Sequence, residues 1–346
     1  MPYVSAPSGA ARSHALKRLA ALATPPGALG RLGELGVWVA SCQGHVPPEP
    51  ITDVRLVIFA GDHGVADHGV SAFPPAITGA MVRTFLAGRA GVNALANAHG
   101  VVVRVLDLGV DEDFEDLEDD VREALQAHKI RRSSGAVHLE DALTSEQTRA
   151  ALDAGARIAR EEIRAGAQLL LSGDMGIGNT TPAAAMIAAG LGLAGADVVG
   201  RGTGITDEAL RHKTEVLDLA LARAGDRCAD PLETLAALSS ADLASTTGYL
   251  LAAAQDGVPV LLDGLMSVAC ALTAERIEPG AAAWFAAGHR STEPAQTLAL
   301  AKLGLDPLLD LGMRLGEGTG AVAAVPVVRS AAALMRDVAL LAELGA

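Results

Sequence analysis

The sequence predicts an α/β protein built on a doubly wound, mostly parallel sheet, and three observations carry that expectation. Short apolar runs recur along the chain, each stopping abruptly at glycine and a polar residue, and a helical stretch follows each stop. Unbroken apolar runs of strand length suit strands buried on both faces, whereas a half-exposed strand would alternate. Half of the 346 residues are hydrophobic, chiefly Ala, Leu and Val, and 38 are glycine. That composition fits helices packed closely on a sheet and joined by tight loops.

Taken in order, the chain begins with two expected helices, about 13–22 and 30–43, parted by "TPPGALG", where two prolines and a glycine stop the first. "VRLVIFA" (54–60) before "GDHG" is the first strand and "VVVRVLDLG" (101–109) the second. The acidic run "DEDFEDLEDD" (111–120) lacks the glycine and the terminal glutamate of an EF-hand loop, so a solvated connection is expected there. Thr144 with Gln147 makes a capping box ahead of a helix on which Leu152, Ala156, Ala159 and Ile163 share a face. "AQLLLSG" (167–173) is the third strand. Thr180 or Thr181, ahead of Pro182, is the expected N-cap of the next helix, and Thr206, ahead of Asp207 and Glu208, caps another. "VPVLLDG" (258–264) and "AAWFAAG" (282–288) complete the strands. In such a fold every glycine-polar ending lies at the carboxyl edge of one sheet, where ligands bind. No repeat, long linker or sharp domain boundary is visible.

Bulk properties exclude several classes. A net charge of −14 argues against a nucleic-acid or anionic-membrane surface, so an anionic substrate must be attracted by local groups. Cys42, Cys228 and Cys270 are scattered and odd in number, which indicates neither a disulfide framework nor a zinc site. The first residues lack the apolar core of a signal peptide, and the longest apolar stretch, 183–196, is too short and glycine-rich to span a bilayer. A soluble, cytoplasmic protein without metal or cofactor is expected.

Four loops can carry chemistry. "SGDMGIGNTTPAAA" (172–185) joins a strand to a capped helix through Gly173, Gly176 and Gly178, so backbone N–H groups and the helix N-terminus suit a phosphate, with Asn179 beside them. "GRGTGITDEALRHK" (200–213) repeats the idea with Gly202, Thr203 and Gly204, and Lys213 can reach back as a point charge. "GHRSTEP" (288–294) offers Arg290 and Ser291 as anion contacts, while His289, like His63 in "GDHGV", more often shapes a pocket than catalyses. "RLGEGTGA" (314–321) sets Glu317 in a glycine-rich turn, an acid in a place that otherwise suits an anion. No P-loop signature is present, and the GxGxxG match at 190–195 follows a helical stretch, so a dinucleotide site is not indicated.

These segments, with "TPPGALGRLGEL", "FAGDHGV", "VSAFP" and "LLDG" in the same order, resemble the nicotinate-nucleotide:dimethylbenzimidazole phosphoribosyltransferases of cobalamin lower-ligand assembly. The resemblance implies a Rossmann-like sheet in a large domain (46–304), and a small helical lobe from 1–45 and about 305–346. It also implies a homodimer that needs no metal, and transfer of phosphoribose from nicotinate mononucleotide to a benzimidazole nitrogen. Carried over by motif, Glu317 is the general base. Gly176, Gly202, Lys213 and Ser291 hold the phosphate, and Gly204 shapes the second loop. Asp174 and Asp263 stand near the reacting sugar, where they would stabilise its cationic transition state.

Two departures stand out. Pro75 and Ala80 occupy places where the family often has glutamine, which leaves the acceptor open among 5,6-dimethylbenzimidazole, other benzimidazoles, adenine and phenolics, and Asp174 stands where glutamate is common, which shortens the reach of that carboxylate. Ser71 and Phe73 remain as contacts for the base. The competing readings are a glycosyltransfer enzyme with another acceptor and a non-catalytic nucleotide-binding regulator.

Overall fold

The structure, a computed structural model, describes residues 3–345. Residues 1, 2 and 346, the outermost parts of the expected small lobe, lie outside the described residues. The five expected strands form β1 (Val54–Gly61), β2 (Val101–Gly109), β3 (Leu169–Met175), β4 (Val260–Leu262) and β5 (Phe285–Ala287). They pair in parallel in the order β2-β1-β3-β4-β5.

Strand alternation feeds two cores. Val57, Phe59, Leu170, Leu262 and Phe285 face the helices Ser145–Arg164, Thr180–Leu191, Ala241–Gln255 and Leu265–Ile277. Leu56, Ile58, Leu171 and Leu261 face the helices Gly30–Gln43, Ile77–Leu86, Gly91–His99 and Thr319–Asp337. Each such side chain removed from water contributes roughly 1.5–3 kcal/mol, which is why the strands read as continuous apolar runs. The Ser145–Arg164 and Ala241–Gln255 helices cross at glycines. A Cβ on Gly155 would run into the Ser245 carbonyl, and one on Gly248 into that of Leu152.

Local signals explain most boundaries. Thr144 and Gln147 cap each other reciprocally, with Gln147 N to Thr144 Oγ1 at 3.1 Å and Thr144 N to Gln147 Oε1 at 3.0 Å. Thr206 accepts from Ala209 N at 3.3 Å. The first helix starts at Gly9, ahead of the expected start, because Ser8 Oγ accepts from Ala11 N at 3.2 Å. The acidic run is anchored as well as solvated: Phe114 is buried under the Arg83 guanidinium, which also pairs with Glu112 and Asp116.

The chain-terminal segments meet. Ala15, Leu22, Val37 and Ala40 share a small core with Met335, and Arg18 donates to the carbonyls of Met335 and Arg336 at 2.6 and 3.0 Å. The Thr319–Asp337 helix also buries Val322, Val325 and Val328 beneath the sheet. The loop at its start is thereby fixed to the main core. No helix among the described residues is long and apolar enough to cross a membrane.

Candidate active site

The strand order changes direction at β1 and β3, and doubly wound sheets of this order bind ligands at that switch point. A cavity of about 450 Å³ opens there, beyond the carboxyl ends of the strands. It is lined by the segment after β1, the loop after β3, the 202–203 turn and the segments after β4 and β5. The 314–317 turn closes the lining.

One end is built from glycine loops. Gly176, Gly178, Asn179, Thr180, Gly202, Thr203, Ser291 and Glu293 line it. Gly178, at φ +88°, adopts a conformation that side chains resist, and a Cβ on Gly176 would meet the Gly61 carbonyl and the His63 ring. Asn179, rather than Thr180 or Thr181, holds the N-cap position of the following helix, but its side chain does not cap: Nδ2 donates to Asp174 Oδ1 at 2.7 Å. Thr180 instead accepts from Lys213 Nζ at 2.7 Å, and Lys213 also donates to the Gly200 carbonyl at 3.1 Å. Lys213 is 1% exposed, so burial pulls its ammonium down to about 8 while Glu293 opposes the shift. Glu293 Oε1 accepts from Gly202 N at 2.8 Å. Ser291 N and Oγ both donate to Gln296 Oε1 at 2.6 Å.

The rest of the lining is largely apolar, with Glu317 and Asp174 as its carboxylates. Val70, Phe73, Ile77, Met81, Leu265, Met266 and Leu315 form the walls, and Ser71 stands among them. Gly316, Glu317 and Gly318 lie consecutively at φ +78°, +65° and +95°, and a left-handed non-glycine residue is a strained position that its surroundings must enforce. Three contacts enforce it. A Cβ on Gly173 of β3 would strike the Glu317 carbonyl, so the strand passes directly beneath the turn. Asp263 Oδ2 accepts from Gly318 N at 3.0 Å, and its Oδ1 accepts from Gly320 N and Ala321 N at 2.8 and 3.0 Å. Glu317 Oε2 accepts from Val92 N at 3.1 Å, in the first turn of the Gly91–His99 helix. Burial lifts the Glu317 carboxyl above its ordinary value; the Val92 N–H works against the rise and Asp263 adds to it.

The expected site residues therefore separate into those that line the cavity and those behind it. Glu317, Asp174, Gly176, Gly178, Asn179, Gly202, Thr203, Ser291, Ser71 and Phe73 line it. Lys213 stands behind Thr180, and Gly204 shapes its loop at φ +98°. Asp263 does not line the cavity: it is 3% exposed and both its oxygens accept from the backbone that carries Glu317. Arg290 turns away, donating to Thr297 at 3.1 Å and pairing with Asp310. Neither Pro75 nor Ala80 lines the cavity.

Comparison with known proteins gives the family. A family model described as a phosphoribosyltransferase, DBI_PRT, matches residues 4–345. The chain belongs to this phosphoribosyltransferase family. Among its relatives, proteins from Mycobacterium marinum and Mycobacterium tuberculosis named nicotinate-nucleotide–dimethylbenzimidazole phosphoribosyltransferase are each 50% identical over 342 residues. The matches cover 99% of this chain and 94% and 93% of theirs. The crystal structure of CobT from Thermus thermophilus is similar with a TM-score of 0.91 and 42% identity, covering 97% of this chain and 98% of that one. A second structure from that organism, titled as the same phosphoribosyltransferase, gives 0.90 and 41%, covering 98% of both chains.

Within this family member the structure adds residues that sequence reasoning missed. Glu293 and Arg314, whose Nη1 donates to the Gly202 carbonyl at 3.3 Å, line the cavity and lie inside motifs already singled out. A charged residue in those short segments was the available signal. Asp242 lies in no motif, yet its buried carboxylate faces His63 Nε2 at 3.6 Å.

Proposed function

We propose that this chain transfers the phosphoribosyl group of nicotinate mononucleotide to a benzimidazole-type base, giving α-ribazole 5′-phosphate and nicotinate in cobalamin lower-ligand synthesis. The observation that carries this reading is one cavity lined by glycine loops backed by the buried Lys213, by apolar side chains and by Glu317. The leaving pyridinium takes the electron pair of the C1′–N bond and departs neutral, so it needs no acid. The incoming nitrogen attacks C1′ from the opposite face, which inverts the anomeric centre. The other ring nitrogen then gives its proton to Glu317. One base suffices, worth about 10²- to 10⁴-fold, and the remaining acceleration comes from orientation and fixed charge. Neither a metal nor a cofactor is required by this chemistry.

The apolar walls support a flat aromatic acceptor such as a benzimidazole. Leu311 and Leu315, largely exposed near the mouth, support a second copy of the chain as their cover, hence a homodimer. The free thiols of Cys42, Cys228 and Cys270 support a cytoplasmic setting. Purified protein given nicotinate mononucleotide and 5,6-dimethylbenzimidazole should release nicotinate and form α-ribazole phosphate in equal amounts. No product from any benzimidazole, with the nucleotide bound, contradicts the reading.

A further inference from the structure

Most of the groups expected to hold the phosphate are engaged within the protein itself. Gly202 N donates to Glu293 Oε1 at 2.8 Å, and Ser291 gives both its N–H and its hydroxyl to Gln296 Oε1 at 2.6 Å. Lys213 Nζ is held behind Thr180 and on the Gly200 carbonyl. Three carboxylates, those of Asp174, Glu293 and Glu317, line the cavity of a chain whose net charge is −14. An anionic ester entering here meets repulsion unless a cation in the lining offsets it.

Arg314 is the one lysine or arginine among the described residues that line the cavity. Its side chain is exposed, its Nη1 donates to the Gly202 carbonyl at 3.3 Å, and no carboxylate pairs with it among the described residues. The arginines of the two adjoining loops are spent on acids, Arg201 on Asp207 and Arg290 on Asp310. A Cβ on Gly204 would lie 3.9 Å from both Nη1 and Nη2, so the 202–204 turn runs along the guanidinium. On its other side that turn is tied to the segment after β1, where Thr203 Oγ1 accepts from Ala72 N at 3.1 Å. A guanidinium carries its five N–H donors in a rigid planar fork, and most of this fork has no protein partner.

We propose that Arg314 is a substrate-binding residue whose guanidinium closes on the 5′-phosphate of the donor nucleotide, reaching it from the turn that carries Glu317. The proposal rests on the phosphoribosyl-transfer reading of the cavity. The Gly202 carbonyl orients the fork, and the remaining N–H groups take two phosphate oxygens, a paired contact that a lysine cannot make. The nicotinate carboxylate is the poorer match. Displacement with inversion puts the leaving ring and the acceptor on opposite faces of C1′, and Arg314 belongs to the turn on the acceptor's side. One turn then carries both the proton acceptor and a phosphate contact, which sets C1′ in register with Glu317.

Calorimetry on the parent, Arg314→Met and Arg314→Lys tests this with four ligands: nicotinate mononucleotide, nicotinamide mononucleotide, nicotinate riboside and ribose 5-phosphate. Arg314→Met should weaken binding of the three phosphate esters by about 10- to 100-fold and change that of the riboside by less than about 2-fold. Arg314→Lys should recover only part of the loss. An equal loss for all four ligands marks a merely structural residue, and a loss that follows the carboxylate, sparing the amide and ribose 5-phosphate, assigns Arg314 to the nicotinate; either result overturns the proposal, as does unchanged affinity for every ligand. If the parent binds ribose 5-phosphate but not nicotinate mononucleotide, the transferase reading fails, and the effect of Arg314→Met on ribose 5-phosphate still decides the phosphate contact. A parent that binds neither contradicts both.

Discussion

At the end proposed for the base the Glu317 carboxylate is held in a left-handed turn beside apolar side chains, whereas the end proposed for the nucleotide is made of glycine loops backed by one buried ammonium, Lys213. The base end is locked by contacts to its backbone: Asp263 takes three N–H groups of the 318–321 segment and Gly173 leaves room for the turn. The nucleotide end is held by side-chain polarity, through Lys213 on Thr180 and Glu293 on Gly202. A group that must take a proton needs fixed direction and partial desolvation, while one that must hold an anion needs charge and donors. The two ends should therefore fail in different kinetic parameters.

The largest expected effect is at the acid. Glu317→Gln should lower kcat about 10²- to 10⁴-fold with nucleotide affinity retained, as read by steady-state kinetics beside calorimetry. Gly173→Ala should come next, since it forces the Glu317 backbone to shift. A displacement on the order of 1 Å costs about 10²-fold in kcat, and a wild-type rate in that variant would show that the turn is not locked by β3. Lys213→Met, which keeps the buried volume, should weaken nucleotide binding by roughly 10- to 100-fold, the worth of about 1.5–3 kcal/mol for a hydrogen bond to a charged group. The smallest effects are in pH. The Glu317 carboxyl titrates above its ordinary 4.5, so kcat should fall as the pH drops through a value higher than that. The Lys213 ammonium is present below about 8, so nucleotide affinity should fade as the pH rises through that region.

Much of this contrast was legible in the chain. Apolar runs ending in glycine marked all five strands, because burial on both faces leaves an unbroken pattern. The glycine loops announced close backbone approach, and Thr144, Gln147 and Thr206 behaved as local capping rules require. What escaped the sequence depended on contacts between distant segments. Asn179 stands at the cap position expected for a threonine, and its amide is turned to Asp174 rather than to the helix. Asp263 was expected at the sugar, and its carboxylate is taken up by a helix start that no local pattern near residue 263 could reveal. Phe114, inside an acidic run that reads as solvated, is buried because Arg83 covers it. Asp242 had no signal, since its neighbour His63 comes from the loop after β1.

The most direct test is to carry Glu317→Gln and Lys213→Met together through both assays, nucleotide dissociation constant and turnover with 5,6-dimethylbenzimidazole. The account predicts a crossed result: the first variant binds the nucleotide like the parent but scarcely turns over, and the second binds weakly but turns over at saturation. Loss of the same parameter in both variants, or turnover by Glu317→Gln equal to that of the parent, would contradict the division of labour between the two ends of the cavity.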